Sequence, residues 1–248
     1  MFEIAKRTGF GAMVLIIIPF LVWVSGWLWH PQNEAAWWRL MFWITQTATA
    51  PWSMITSTLL MVWLLWCLRF RFKPALGLVC IVAAALLIGQ SLKSFIKQQV
   101  QEPRPYVLWL EHTHNIDDRV FYSLPRNERS LLVKSELQDQ QNIPPWLGHH
   151  WQHETGFAFP SGHTVFAASW ALLALGLLWS RRHVVSLTLI VAWAAAVMCS
   201  RLVLGMHWPR DLIVGTALSW LIITLACWLV QRWITMPTPD PNPQHDRT

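Results

Sequence analysis

Along the 248 residues, six runs of mostly apolar residues are separated by polar breaks, and each approaches the roughly 20 residues that cross a bilayer core as a helix. The pattern predicts spans at about Phe10–Trp29, Trp52–Leu68, Ala75–Ile96, Gly162–Trp179, Val184–Val203 and Leu212–Trp233. The expected fold is all-α: a polytopic membrane protein with about six transmembrane helices, forming a single membrane-embedded domain over residues 1–248. Lys6 and Arg7 precede the first run as they would in a signal peptide. That run exceeds the roughly 7–15 apolar residues of a signal-peptide core and has no small-x-small cleavage site after it, so it reads as a retained anchor.

The polar breaks differ in charge. Lys6 and Arg7, then Arg69, Arg71 and Lys73, then Arg181 and Arg182 all fall on one side of a six-span chain. Short basic loops stay in the cytoplasm, so that side and both termini are expected there. The other side carries one long insertion, about residues 107–157, with seven acidic residues against four Lys and Arg. It is expected to be helical and non-cytoplasmic. Within it, Arg126–Gln141 spaces Leu131, Leu132 and Leu137 for the inner face of an amphipathic helix. His149, His150 and His153 resemble a metal cluster, but no carboxylate pair stands at ligand spacing, and a polar surface segment is expected. Residues 236–248, rich in Pro and polar side chains, are expected to be a flexible tail.

Composition agrees with a bilayer. Charged residues make up 13% of the chain, about half the share usual in soluble domains. The 19 Trp suit membrane interfaces, where one ring is half dry and half wet. The net charge of +6 sits mostly in short gaps between apolar runs, which fits membrane orientation and not nucleic-acid binding. Cys67, Cys80, Cys199 and Cys227 lie in or beside apolar runs at no ligand spacing, as small embedded side chains.

Three segments carry a density of ionisable groups that is expensive at membrane depth. In the first, Lys97 closes the third span and Arg104 follows between Pro103 and Pro105, which stop the helix and hold the chain extended. Two cations can converge there on one anion. In the second, Pro160-Ser161-Gly162-His163 opens the fourth span: Ser161 is a good N-cap, Gly162 admits a ligand to the backbone, and free amides at a helix start attract an anion. The third segment, from Ser200-Arg201 through His207 and Pro209 to Asp211, joins the last two spans. His207 and Asp211 are four apart, so the carboxylate can fix the imidazole tautomer and leave the other nitrogen as nucleophile or base. All three segments emerge on the non-cytoplasmic side. Arg201, Arg104 and Lys97 make a cationic site whose natural guest is a phosphoryl group. A transporter or flippase for a phosphorylated lipid is the alternative reading, although transporter sites lie nearer the midplane.

Together, Lys97-x6-Arg104-Pro105, Pro160-Ser161-Gly162-His163 and Ser200-Arg201-x5-His207-x3-Asp211 resemble the three-part signature of the type 2 phosphatidic acid phosphatase superfamily. Vanadium haloperoxidases share that signature but are soluble. The resemblance implies a bacterial inner-membrane hydrolase, facing the periplasm, that acts on lipid phosphates. It implies phosphatidylglycerophosphate and undecaprenyl diphosphate as substrates, with phosphatidic acid and diacylglycerol diphosphate beside them. It also implies catalytic roles for His207, His163 and Asp211: His207 as nucleophile, Asp211 orienting it, and His163 as acid and then base. Lys97, Arg104, Ser161, Gly162 and Arg201 would hold the phosphoryl oxygens. No metal or other cofactor is expected, because the cations supply the field.

Overall fold

The computed structural model describes residues 1–31, 36–138, 140, 142–181 and 183–234. The expected flexible tail at 236–248 and the basic residue Arg182 lie outside the described residues. Every regular element among the described residues is helical. The helices are α1 (Phe2–Val24), α2 (Ala36–Gln46), α3 (Trp52–Leu68), α4 (Phe72–Val100), α5 (Pro105–His114), α6 (Asp118–Ser123), α7 (Arg126–Leu137), α8 (Pro145–His153), α9 (Gly162–Leu178), α10 (Val184–Val203) and α11 (Pro209–Trp233).

Helices α1, α4, α10 and α11 are long and apolar enough to cross a membrane; α3 and α9 are apolar but 17 residues long. At 1.5 Å per residue, 17 residues span about 26 Å, just under the hydrocarbon thickness. The outer faces of α1, α3 and α4 expose large apolar side chains in rows, Phe10, Met13 and Ile17 among them, which water would not tolerate and lipid does.

Helix α9 is the axis of the bundle, with α1, α3, α4, α10 and α11 packed around it. Its sequence is apolar all round, and all but three of its 17 residues are buried. Among helices already in lipid, close packing replaces water exclusion as the driving force, and small residues permit it. At Gly176 an added Cβ would lie 2.6 Å from Cys227 Sγ, so α11 can approach only a glycine there. Thr8 and Thr224 share a 2.8 Å hydrogen bond that fastens α1 to α11, worth about 0.6 kcal/mol in such settings.

The insertion holds α5 to α8 and builds its own apolar cluster from Tyr106, Leu110, Phe121, Val133, Leu147 and Trp151, joined by Leu204 and Met206 of the α10–α11 loop. Trp151 stacks on Tyr106 at 5.0 Å and donates its indole N–H to the Leu204 carbonyl at 3.0 Å. The insertion is thereby clamped onto one end of the bundle.

Several expectations need correction. The first helix starts at Phe2, so Lys6 and Arg7 lie inside it, and it ends before Gly26, whose φ of +67° breaks the helix. In α7, Leu131 points outward and Val133 inward; Leu132 and Leu137 are half-buried. The core below α7 is met by Val133 together with Leu132 and Leu137, so the expected inner face holds at two of its three leucines and fails at Leu131. Helix α2 was not expected at all. Its Trp-rich stretch is polar enough at Arg39 and Gln46 to miss a span criterion, yet it packs on α10.

Candidate active site

His207 lies in the short loop between α10 and α11, and the first turn of α11 sets its partner. Pro209 begins that helix at its first position, where a missing N–H costs nothing. Asp211, two residues on, turns its carboxylate back to the N-cap, where Oδ2 accepts the Trp208 N–H at 3.0 Å. The same oxygen meets His207 Nδ1 at 3.0 Å. Nδ1 therefore carries the proton and Nε2 the lone pair. Asp211 is fully buried and His207 is 3% exposed. Burial, then the charges of Arg104, Lys97 and Arg201, hold the His207 imidazole well below its ordinary value, so it is neutral at neutral pH.

The other two segments are tied to this loop through the backbone. The Tyr106 N–H donates to the Gly205 carbonyl at 3.0 Å, and the Trp208 indole N–H to the Pro103 carbonyl at 2.9 Å. The Ser161 N–H donates to the Asp211 carbonyl at 3.2 Å. Ser161 Oγ caps α9 by accepting the Thr164 N–H at 3.3 Å, as its position predicts. All eight sequence-predicted residues, Lys97, Arg104, Ser161, Gly162, His163, Arg201, His207 and Asp211, gather at one end of the bundle.

They do not gather around the same atom. Arg104 and Arg201 converge, and what they converge on is Glu154. Its Oε2 accepts from Arg104 Nη1 at 3.1 Å and from Arg201 Nη2 at 2.6 Å. Its Oε1 lies 3.6 Å from His163 Nε2 and 3.7 Å from His150 Nε2, without a hydrogen-bond partner among the described residues. Burial works against ionisation of Glu154, but the charges of Arg201 and Arg104 outweigh it and hold the carboxyl well below its usual range. An ionised carboxylate thus occupies the fork of two guanidiniums that suits a phosphoryl group. Lys97 is not part of the fork: its Nζ donates to the carbonyls of Phe157 and, at 2.9 Å, Ala158. It braces the segment leading to Ser161 while its charge still reaches His207.

Four contributors were not legible. Glu154 caps the end of α8 and is carried into place by the insertion core. His150 was expected on a polar surface; it is 4% exposed, because α8 turns it inward, and accepts from Arg201 Nη1 at 3.3 Å. Burial, opposed by Glu154 and aided by Arg201 and Arg104, pushes it down to about 4, so it is a neutral acceptor. Thr45 Oγ1 accepts from Arg201 Nη1 at 2.7 Å, and Thr49 Oγ1 shares a 2.9 Å hydrogen bond with His163 Nε2. The signal in hindsight is spacing: His150 and Glu154, like Thr45 and Thr49, are four apart.

A cavity of about 1260 Å³ reaches this end of the bundle. Glu154, His150, His163 and Gly162 line its polar part, and Trp52, Met54, Leu86 and Leu87 its apolar part. Arg104, Arg201 and His207 lie behind Glu154 and do not line it. Replacing Glu154 by Ala would leave two buried guanidiniums unpaired. The expected result is a lower melting temperature that orthovanadate restores, with a vanadate-induced upward shift larger than in wild type. An equal shift in both proteins would show that the carboxylate does not compete for the anion position.

The matching family model is that of the PAP2 superfamily, over residues 75–235. The chain is 55% identical over 237 residues to phosphatidylglycerophosphatase B of Escherichia coli strain K12, covering 96% of this chain and 93% of that protein. It is 34% identical over 226 residues to the Haemophilus influenzae protein of the same name, covering 88% and 92%. The chain belongs to the PAP2 superfamily and is a membrane phosphatase.

Proposed function

We propose that this chain removes the terminal phosphate of lipid phosphates through a phosphohistidine on His207. The substrates would be phosphatidylglycerophosphate, giving phosphatidylglycerol, and undecaprenyl diphosphate, giving the monophosphate used in peptidoglycan precursor recycling. Phosphatidic acid and diacylglycerol diphosphate belong to the same class. The observation that carries this reading is the neutral His207, oriented by Asp211, beside two guanidiniums already closed on a carboxylate.

A phosphoryl group entering that fork displaces Glu154 and takes Arg104 and Arg201 on its oxygens, with the Ser161–Gly162 helix start beside it. His207 Nε2 attacks phosphorus as the bond to the leaving oxygen breaks. His163 supplies a proton to that oxygen. It then takes one from water, which attacks the phosphohistidine, releases inorganic phosphate and regenerates the free imidazole. Three fixed cations, Lys97 included, stabilise the charge that builds on the phosphoryl oxygens, the work a metal does in other phosphatases. The apolar part of the cavity suits the lipid tails.

The test is phosphate release from phosphatidylglycerophosphate by purified protein in detergent with excess chelator. We expect full activity. Activity lost in chelator and restored only by Mg²⁺ or Zn²⁺ would overturn the metal-free mechanism. Translocation of the lipid without phosphate release would favour a flippase.

The same reading has six spans, α3 and α9 included, in a bacterial inner membrane with both termini cytoplasmic and the site periplasmic. The supporting feature is that Arg69, Arg71 and Lys73 flank the start of α4, while the site lies at its other end. An alkaline phosphatase fusion after Asn142 is expected to be active and one after Arg182 inactive. The reverse pattern would put the site in the cytoplasm.

A further inference from the structure

Helix α4 carries a second lysine one turn before Lys97. Residues four apart share a helix face, so Lys93 and Lys97 stand side by side, about 6 Å apart at Cβ. Their surroundings differ. Lys97 is occupied by two backbone carbonyls. Lys93 makes no hydrogen bond or ion pair among the described residues. A lysine in an apolar helix with no task would extend its stem towards the interface. Lys93 instead lies across the start of α9: a Cβ added at Gly162 would sit 3.0 Å from its Cδ and 3.3 Å from its Nζ. One turn earlier on α4, Gln90 Nε2 donates to the Gly162 carbonyl at 3.3 Å and ties this helix to the start of α9.

Lys93 is also on a different side of the chemistry from the other cations. It lines the cavity together with His163 and Glu154, whereas Lys97, Arg104, Arg201 and His207 do not. The leaving group departs towards the cavity, since the tails lie there. A cation on that side meets the leaving group and not the transferred phosphoryl.

We infer that Lys93, resting on Gly162, binds a second phosphate: the one that stays with the lipid when the terminal phosphate of a lipid diphosphate is removed. The inference rests on the proposed lipid phosphatase activity. As His207 Nε2 bonds to the terminal phosphorus, the bond from that phosphorus to the bridging oxygen breaks. The electron pair stays on the bridging oxygen, and the departing lipid monophosphate gains one negative charge. Lys93 is placed to receive that charge without a proton transfer. Phosphatidic acid has no second phosphate and offers Lys93 nothing comparable.

Diacylglycerol diphosphate and phosphatidic acid with the same acyl chains differ by the one phosphate in question. For Lys93→Met we expect kcat/KM on the diphosphate to fall about ten- to hundredfold, the usual worth of one charge-assisted hydrogen bond. On phosphatidic acid the loss should stay under about threefold. Lys93→Arg, which keeps the charge, should retain the diphosphate preference. Equal losses on both lipids, or no loss on either, would overturn the inference. If wild-type protein hydrolyses neither lipid, the phosphatase reading itself has failed. Lys93 is then judged by equilibrium binding of an alkyl methylene-bisphosphonate and an alkyl phosphonate of one chain length. Weaker binding of the bisphosphonate alone in Lys93→Met supports the subsite, and equal binding by both proteins refutes it.

Discussion

His207→Ala is expected to abolish turnover, with a loss of at least about 10⁴-fold, and to leave a folded protein. The nucleophile has no substitute: of the other bases near the fork, Glu154 is closed by two guanidiniums, His150 Nε2 accepts from Arg201, and His163 Nε2 is bonded to Thr49. Folding should survive, because the Asp211 oxygen that loses His207 keeps the Trp208 N–H. After a rapid quench, acid-labile ³²P should be found on wild type and be absent from the variant. Asp211→Asn should be severe but less complete. One oxygen, Oδ2, serves both His207 and Trp208, while Oδ1 has no partner among the described residues. An asparagine can keep that oxygen in place and put its amide where Oδ1 was. The tautomer then survives and only the stabilising charge is lost, a milder change than the roughly 10⁴-fold loss seen where Asp→Asn in a Ser–His–Asp triad leaves the wrong tautomer. Normal turnover in His207→Ala would sink the mechanism.

His163→Ala should slow formation of the phosphoenzyme by about 10²–10⁴-fold on a lipid monophosphate and far less on a lipid diphosphate. The reason is the leaving group. An alkoxide has a conjugate acid near water, with a pKa of roughly 15.7, and needs a proton as it departs. A phosphate monoester, whose relevant pKa is about 6, does not. The geometry gives His163 the access this role needs: it borders the cavity, and Thr49 fixes its ring through Nε2. Water attack on phosphohistidine is common to both substrates, so overall turnover can hide the difference and a single-turnover burst is the measurement. Equal slowing on both lipids would reassign His163 to phosphate binding. The Lys93 substitution should act with the opposite sign, harming the diphosphate more, so the two residues report on one bond from two directions.

The candidate site residues are legible in the chain because their types and spacings are dictated locally. His207 and Asp211 need one helical turn between them, and Ser161 must precede a helix to cap it. The six apolar runs are legible for the same reason: lipid demands continuous apolar helices, and five of them became helices within about four residues of their expected ends, while the first is displaced towards the N-terminus, at Phe2–Val24. What was not legible depends on tertiary direction. Nothing in the sequence around Glu154 says that Trp151, stacked on Tyr106 and bonded to Leu204, will turn that carboxylate onto two arginines 50 and 47 residues away. His150 looks like a surface histidine until α8 is docked. Lys97 and Arg104 looked like one clamp because both are cations at the end of α4; the extended residue Arg104 instead pairs in space with Arg201.

Glu154 is fastened to the protein, so it competes for the arginine fork as an anion whose effective concentration never falls. Any phosphate ester must first outbid it. On the proposed function, a lipid would meet that cost with the burial of its tails along the cavity wall, whereas a sugar phosphate, a nucleotide or free phosphate has no tail to offset it. The resting carboxylate would therefore work as a filter against water-soluble phosphates at the phosphate end of the site, where headgroup chemistry alone could not tell them from a lipid.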